Sequence, residues 1–366
     1  MKVTLTPQGG PQSPYIAQLV SSLRETGIQV NLAQDHPFVL WRAVLDYGRP
    51  HVIHIQWQHS HFKASNMLRA VWRAFLFFLQ IVTLRLWGVR FVWTVHNLVN
   101  HEKIHSAWEL NMRRLLARSV DAVIVHCQAA VPVVASTYRI SPERLHVVPH
   151  GHFIDLYSSL PPQAVARGEL NLPADEVIFL FFGQVRAYKG VDRLLDSFAA
   201  LKHKKARLVI AGEPKPSALG DALLGQAQSY LNVVTCFDHI PDEKVTLYLS
   251  ACDLVVLPYR DSLTSGVAIL AMSYGRPVLG PQLGCMKELP SDVAILYDPQ
   301  KSDGLQSALE QAFLVSLAEM GQAAKAYCTQ FPWSITAAKT TAIYRSVMTQ
   351  KQDVSLVHPS QHKAID

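Results

Sequence analysis

The sequence predicts an α/β protein of two doubly wound, Rossmann-like parallel-sheet domains. Three observations carry this expectation. Strand-like apolar runs alternate with helical periodicity through both halves of the chain. The runs are nearly continuous, as strands buried on both faces of a parallel sheet must be. The length, 366 residues, exceeds what one ordinary core holds. Hydrophobic residues make up 49% and charged residues 17%, which excludes a disordered chain.

In the first half, strands are expected at 3–6, 51–56, 89–95, 122–126 and 145–148. Helices are expected near 13–26, 64–86, 107–118 and 128–137. In the second half, strands at 177–182, 207–211, 232–236, 254–257, 277–279 and 294–296 alternate with helices near 190–201, 217–230, 242–250, 266–274 and 303–326. The paired prolines of Leu160-Pro161-Pro162-Gln163 break both periodicities and mark a linker between domains 1–160 and 164–330. Residues 331–350 read as a terminal helix, and 351–366 as a loose polar tail. In open parallel sheets, ligands bind beyond the carboxyl ends of the strands. Two such domains facing each other would enclose a cleft.

The net charge is +6 and the pI is near 9.0. The excess is concentrated. Residues 63–118 hold Lys63, Arg69, Arg73, Arg85, Arg90, Lys103, Arg113, Arg114 and Arg118 against Glu102 and Glu109 alone. An anionic partner is expected: a membrane surface, a phosphorylated substrate or nucleic acid. Nucleic acid ranks last, because no DNA- or RNA-binding motif accompanies the charge. The five cysteines are scattered without a CxxC pair and read as reduced thiols of a cytosolic protein. The first ten residues, MKVTLTPQGG, carry no apolar signal region, so a cytoplasmic location is expected.

The segment FFGQVRAYKGVDRLL, residues 181–195, is the most informative. A buried strand ends at Gly183, a polar loop carries Arg186 and Lys189, and Gly190 precedes a helix start at Val191, Leu194 and Leu195. Two cations stand where free N–H groups and a helix dipole converge, which is how a protein holds a diphosphate. Read alone, such a pair is more often solvated surface charge. A second candidate follows the run DLVVL: Ser262, Thr264, Ser265 and Gly266 offer hydroxyls and a helix N-cap, an anion cradle or an ordinary capped helix start. His96-Asn97, His150-Gly151-His152 and Gly212-Glu213 also follow strands. Gly9 and Gly10 follow the first strand and permit close approach of a ligand.

Together these loops resemble the nucleotide-sugar glycosyltransferases of the GT-B fold, in particular the retaining group called family 4. The resemblance spans essentially the whole chain and is strongest over 177–289. FFGQVRAYKGVDRLL is similar to that family's G-R-x-x-x-K-G block, with Arg186 and Lys189 as its cations. RLVIAGEP, ACDLVVLPYRDSLTSGVAILAMSYGRPVLGP and GCMKELP resemble its following blocks, and TVHN its first-domain histidine element. FPWSITAAKTTAIY is similar to the helix that crosses back to the first domain.

The resemblance implies a transferase that moves a sugar from a nucleotide-diphosphate sugar to an acceptor hydroxyl. Arg186 and Lys189 would neutralise the departing diphosphate and His96 would touch the donor sugar. Gly183, Gly212, Glu213, Ser262, Thr264, Ser265, Gly266 and Glu288 would line the donor site. Gly9, Gly10, His101, Glu102 and His150 would lie on the acceptor side, with His96, His101 and Glu102 the nearby bases if the reaction inverts. The chain departs from the family at Ser262 and Leu270, where a pair of Glu residues usually stands. That departure leaves open the ribose contact, the donor and the stereochemistry. Two other readings are therefore kept: a non-catalytic partner of the same fold, and another nucleotide-sugar enzyme such as an epimerase.

No cofactor and no metal are expected. No Asp-x-Asp occurs, and His54, His59 and His61 lack metal-ligand spacing and a supporting Cys or carboxylate. The run AFLFFLQIVTL spans 11 residues between Arg73 and Arg85. It falls short of the about 20 needed to cross a bilayer. With its flanking Trp and Arg residues, segment 67–92 reads either as a helix lying on an anionic membrane surface or as a buried domain helix. The expected acceptor is a lipid-linked or polysaccharide glycan.

Overall fold

The structure is a computed structural model that describes residues 1–6, 13–62, 64, 66–99, 106–203 and 205–349. It divides into two compact units: Met1–Pro149 with the C-terminal segment from Trp333, and His150–Pro332.

The first unit runs β1 (Lys2–Thr6), α1 (Pro14–Glu25), β2 (Gln29–Leu32), α2 (Val39–Tyr47), β3 (Val52–Ile55), α3 (His59–Phe62), α4 (Met67–Leu86), β4 (Arg90–Thr94), α5 (Ser106–Ser119), β5 (Ala122–Val125), α6 (Ala130–Tyr138) and β6 (Leu145–Val147). Its six strands pair in the order β2-β1-β3-β4-β5-β6, all parallel. The strands of β3 and β5 are buried on both faces, which is why VIHI and AVIV are not alternating patterns.

The second unit runs α7 (Gln163–Glu169), β7 (Val177–Phe182), α8 (Val191–Ala199), β8 (Ala206–Ala211), α9 (Ser217–Ala227), β9 (Val233–Cys236), α10 (Asp242–Ala251), β10 (Leu254–Val256), α11 (Gly266–Ser273), β11 (Val278–Pro281), β12 (Ala294–Tyr297), α12 (Gly304–Gln311) and α13 (Leu317–Thr329). Its parallel sheet has the order β12-β11-β10-β7-β8-β9. The order reverses between β7 and β10, which makes the gap beyond their carboxyl ends the topological switch point.

The last helix, α14 (Trp333–Thr349), belongs to the first unit. It buries Trp333, Ala337, Tyr344 and Val347 and packs along α1, with Thr341 Oγ1 3.2 Å from Thr26 Oγ1.

Several elements depart from the sequence reading. β2 and α2 were not expected: β2 is a short edge strand with one buried residue, and its mixed QVNL carries little apolar signal. The helix expected at 303–326 is two helices, α12 and α13. The division falls at Pro149/His150 and not at the proline pair. Phe153 N donates to Ser273 Oγ and Tyr157 N to Tyr274 Oη, so this segment is tied to the second unit. Pro162 caps α7, a place a proline suits because a helix start needs no N–H there. Cys236, Cys252 and Cys328 are free thiols.

Candidate active site

Four loops of the second unit meet at the switch point, and glycines set their approach. Gly190 is left-handed, and a Cβ on it would lie 2.2 Å from the Pro258 carbonyl oxygen. Only glycine lets the loop after β7 and the loop after β10 touch this closely. Gly212, after β8, sits against Gly183 in the same way: a Cβ there would be 2.3 Å from the Gly183 oxygen. Val185 N bonds Glu213 O and Lys215 N bonds Val185 O, which fixes the register of these two loops. Arg260 clasps the β7 loop from the other side. Its N bonds Tyr188 O, its Nη1 donates to Ala187 O at 2.6 Å, and its Nη2 pairs with Asp192. The turn 284–288 joins through Cys285 N to Leu263 O at 2.8 Å.

Lys189 is the electrostatic centre of this arrangement. It is only 8% exposed. Its Nζ stands 5.8 Å from the Phe181 ring centroid and 5.7 Å from that of Tyr259, a cation–π setting. Burial, and then the neighbouring Arg186, pull its pKa down to about 8. Among the described residues no carboxylate pairs with it, and a cation held so, at a cost in desolvation, is poised for an anion. Arg186 is half-buried, with Nε donating to Gln184 Oε1 at 2.9 Å. A Cβ on Gly183 would meet Lys189 Nζ at 3.7 Å and Val267 Cγ2 at 3.6 Å. Gly183, Lys189 and the first turn of α11 therefore share one place.

Ser265 is the N-cap of α11. Its Oγ accepts from Ala268 N at 3.2 Å and is hydrogen-bonded to the buried Tyr259 hydroxyl. Ser265 thus organises the helix start. Gly266 is exposed with open space before it, so the free N–H groups there are accessible. Thr264 Oγ1 lies 3.6 Å from Cys285 Sγ, and Ser262 is half-buried in the same loop. Leu270, where the second Glu of the family stands, is buried within α11. Glu213 is ion-paired with Lys215 at 3.0 Å, and Glu288 closes the 284–288 turn at the surface.

The first unit carries a second cluster. His96 follows β4, stacks on Trp57 at 4.7 Å, and has Tyr15 edge-on at 5.0 Å and His126 at 5.2 Å. Its Nε2 is 2.9 Å from Gln56 Oε1. The loop that holds it is anchored from beneath. Arg113 Nη1 donates to Asn97 O at 2.8 Å, and Tyr138 Oη to Leu98 O at 2.8 Å. Arg113 is itself buried and paired with Glu109 at 2.6 Å. Gln56, Trp57, Tyr15, Glu109 and Arg113 escaped the sequence reading. Only the i,i+4 spacing of Glu109 and Arg113 on one helix could have signalled a pair.

Other candidates fall elsewhere. His150, expected on the acceptor domain, belongs to the second unit, where its ring meets Phe153 at 5.3 Å. The backbone ties at Phe153 and Tyr157 account for that correction. Gly9, Gly10, His101 and Glu102 lie outside the described residues. Among the described residues, no group of three or more His, Cys, Asp or Glu is placed to hold a metal. His54 and His61 are buried, and burial lowers their pKa to about 3 and about 4.

Known proteins resemble both units of the chain. A family model for Glycosyltransferase Family 4 matches residues 6–155, and one for Glycosyl transferases group 1 matches 176–313. A GDP-mannose:glycolipid 4-beta-D-mannosyltransferase of Xanthomonas campestris pv. campestris is 27% identical over 272 residues, 74% of this chain and 70% of that one. A D-inositol 3-phosphate glycosyltransferase of Corynebacterium efficiens is 26% identical over 336 residues, 85% of this chain and 76% of that one. Among solved structures, sucrose-phosphate synthase from Thermosynechococcus elongatus superposes with a TM-score of 0.76 at 19% identity, covering 95% of this chain and 99% of that one. Anabaena HepE in complex with UDP gives 0.72 at 18% identity, covering 94% and 99%. Two glycosyltransferase models matched in chain order, one on each parallel-sheet unit, together with the shared two-sheet architecture, identify the chain as a member of the family 4-like nucleotide-sugar glycosyltransferases of the GT-B fold.

Proposed function

We propose that this glycosyltransferase binds the diphosphate of its nucleotide-sugar donor at the switch point of the second unit, without a metal or other cofactor. The observation that carries this reading is Lys189, a buried ammonium beside Gly183 and the exposed start of α11. In the transition state, negative charge accumulates on the leaving diphosphate, and cations fixed in advance lower that barrier. Lys189 and Arg186 supply the charge. The N–H groups at Gly266 supply oriented donors, with Thr264 and Ser262 beside them. Glu213 and Glu288 are assigned to the nucleoside, and His96 of the first unit to the transferred sugar.

The acceptor side is read from α4. One face of this helix is buried through Ala70, Ala74, Phe77, Ile81 and Leu84. The opposite face exposes Leu68, Trp72, Phe75, Val82 and Leu86, flanked by Arg69 and Arg73, and the helix has no acidic residue. Length and composition alone make it, among the described residues, the one helix able to cross a membrane. Its buried face argues instead for a helix lying in the plane of an anionic bilayer. The acceptor is accordingly a lipid-linked glycan of envelope or exopolysaccharide assembly, met by a cytoplasmic enzyme held peripherally on the inner face of the membrane.

The test is a binding screen of UDP, GDP, ADP, TDP and their sugar conjugates by ligand-detected NMR, without added metal. Selective binding that Arg186→Ala and Lys189→Ala each weaken by ~10-fold or more is expected, and it names the donor base. Folded protein that binds none of them, or binds only with a divalent ion, overturns the reading.

A further inference from the structure

A small polar cavity stands in the first unit, at the carboxyl ends of β2 and β3. Its volume is about 130 Å³, and Asp35, His36, Pro37, His61 and Arg73 line it. The first three follow β2, His61 lies on α3 after β3, and Arg73 lies on α4. The carboxyl ends of parallel strands are where such sheets take ligands. The walls are fixed by hydrogen bonds. Gln80 of α4 is fully buried and holds the loop after β2: its Nε2 donates to Pro37 O at 3.0 Å, and its Oε1 accepts from Leu40 N at 3.0 Å. His61 is only 7% exposed, and its ring is stacked on Phe77 at 4.3 Å. Among the described residues, no hydrogen bond reaches its ring nitrogens. A buried imidazole left so, on the wall of a cavity, has its bonds to make with what the cavity holds.

The chemistry of the lining narrows the occupant. Burial holds His61 neutral, so its ring offers one donor and one acceptor. Phe38 N donates to His36 Nδ1 at 3.1 Å, so the proton of that ring is on Nε2, a donor. The Asp35 carboxylate accepts, the Arg73 guanidinium donates, and the two act on His61 in opposite directions. A phosphate in this cavity would meet the carboxylate, and a cation would meet the guanidinium. Hydroxyls suit every group, because each hydroxyl both donates and accepts. The volume has room for about ten water-sized groups, the scale of one hexose ring with its hydroxyls. The cavity also adjoins the exposed apolar face of α4. Arg73 is next to Trp72 in the chain, and Phe38, whose ring is 5.8 Å from that of His36, is 39% exposed.

We propose that this cavity is a sugar-binding subsite that takes one uncharged hexose unit of the acceptor through its hydroxyls, with the His61 ring as a buried hydrogen-bonding partner. The assignment of that unit to the acceptor rests on the reading of the acceptor as a lipid-linked glycan. The sugar site itself does not.

The experiment follows the His61 ring in the full-length chain by 1H–13C NMR. Its signal is assigned by its loss in His61→Phe, which keeps an aromatic ring against Phe77, or by the NOE of its ring to Phe77 if that variant does not fold. The probes are the methyl glycosides of mannose, glucose, galactose and N-acetylglucosamine, with inorganic phosphate as the ionic alternative. At least one glycoside is expected to shift the His61 signal saturably, with a Kd of about 1–10 mM, as suits a single sugar ring. Folded His61→Phe is expected to bind it ~10-fold more weakly by ligand-detected NMR. Saturating UDP-glucose or GDP-mannose is expected to leave the His61 shift in place, because the diphosphate residues stand in the second unit. No shift with any glycoside up to ~100 mM overturns the proposal, and so does a shift with phosphate alone. Unchanged affinity in folded His61→Phe also overturns it, as does displacement of the glycoside by either nucleotide sugar. A glycoside bound at His61 in a chain that binds neither nucleotide sugars nor anionic vesicles would sink the donor and lipid readings and leave the sugar site standing.

Discussion

Lys189 shows how a single side chain ties stability to function. Burial holds its folded-state pKa near 8, below the ordinary 10.5 of an unfolded lysine. Between those values the unfolded chain binds more protons than the folded one, so this residue's contribution to stability rises with pH through about 8 to 10.5 and is complete above that window. Diphosphate binding runs the other way, because it needs the ammonium. The affinity of a nucleoside diphosphate, followed by calorimetric titration, is expected to fall above pH 8. Lys189→Ala is expected to bind ~10- to 100-fold more weakly at pH 7, the worth of a charge-assisted contact, with little pH dependence left in that range. A flat wild-type profile from pH 7 to 10 would remove Lys189 from the diphosphate site. Gly190 makes a purely steric prediction. Gly190→Ala sets a Cβ 2.2 Å from the Pro258 oxygen on a left-handed residue. It is expected to lower unfolding stability by about 2–4 kcal/mol in urea titration. Both positions were legible in the sequence because the loop chemistry is local: a strand, Gly183, two cations and Gly190 within ten residues. Arg113 was not legible as an anchor, because its partner Asn97 belongs to a loop fixed only by the tertiary fold.

At the scale of elements, α4 has two apolar faces and one core. Ala70, Ala74, Phe77, Ile81 and Leu84 are buried, while Trp72 is 59% and Phe75 is 54% exposed. Such a stripe on a soluble surface calls for a covering partner. Trp72→Ser with Phe75→Ser is expected to abolish co-sedimentation with anionic vesicles while shifting stability by less than about 0.5 kcal/mol, since neither side chain fills the core. Wild-type binding to anionic vesicles is itself expected to weaken with salt, because Arg69 and Arg73 attract the surface electrostatically. Equal sedimentation of wild type and the double variant would show that the stripe does not touch the bilayer. The sequence left this helix undecided between a buried and a surface role, and the reason is physical. Hydrophobic periodicity reports that a face is apolar, not what covers it. The same limit explains β2, whose edge position leaves QVNL half polar. Buried runs such as VIFLFF of β7 were read without difficulty, because both faces of the sheet demand apolar side chains.

At the scale of the whole molecule, the order of the chain and the order of the fold differ. The second unit is continuous, His150–Pro332, whereas the first needs α14 from the far end of the sequence. Trp333 packs on Tyr15 at 5.4 Å, Tyr344 bonds the buried His54, and Thr336 Oγ1 donates to Pro149 O at 2.8 Å. Without α14, the faces of α1 and β3 that it covers would be exposed, and His54 would lose one of its two in-plane partners. The FPWSITAAKTTAIY segment allowed the helix to be expected, but its docking partners are remote in sequence and could not be derived from spacing. Two fragments test this organisation. A chain of residues 150–332 has a complete sheet and every residue assigned to the diphosphate. It is expected to unfold cooperatively and to bind the same nucleoside diphosphate as the full chain. A chain of residues 1–149 is expected to lack cooperative unfolding and slow amide exchange. Adding residues 333–349 to it as a separate peptide is expected to restore protection at β3 and β4, because those are the strands the helix touches. Cooperative unfolding of 1–149 alone would mean that α14 is an accessory to the first unit rather than part of its core, its bond from Tyr344 to the buried His54 notwithstanding.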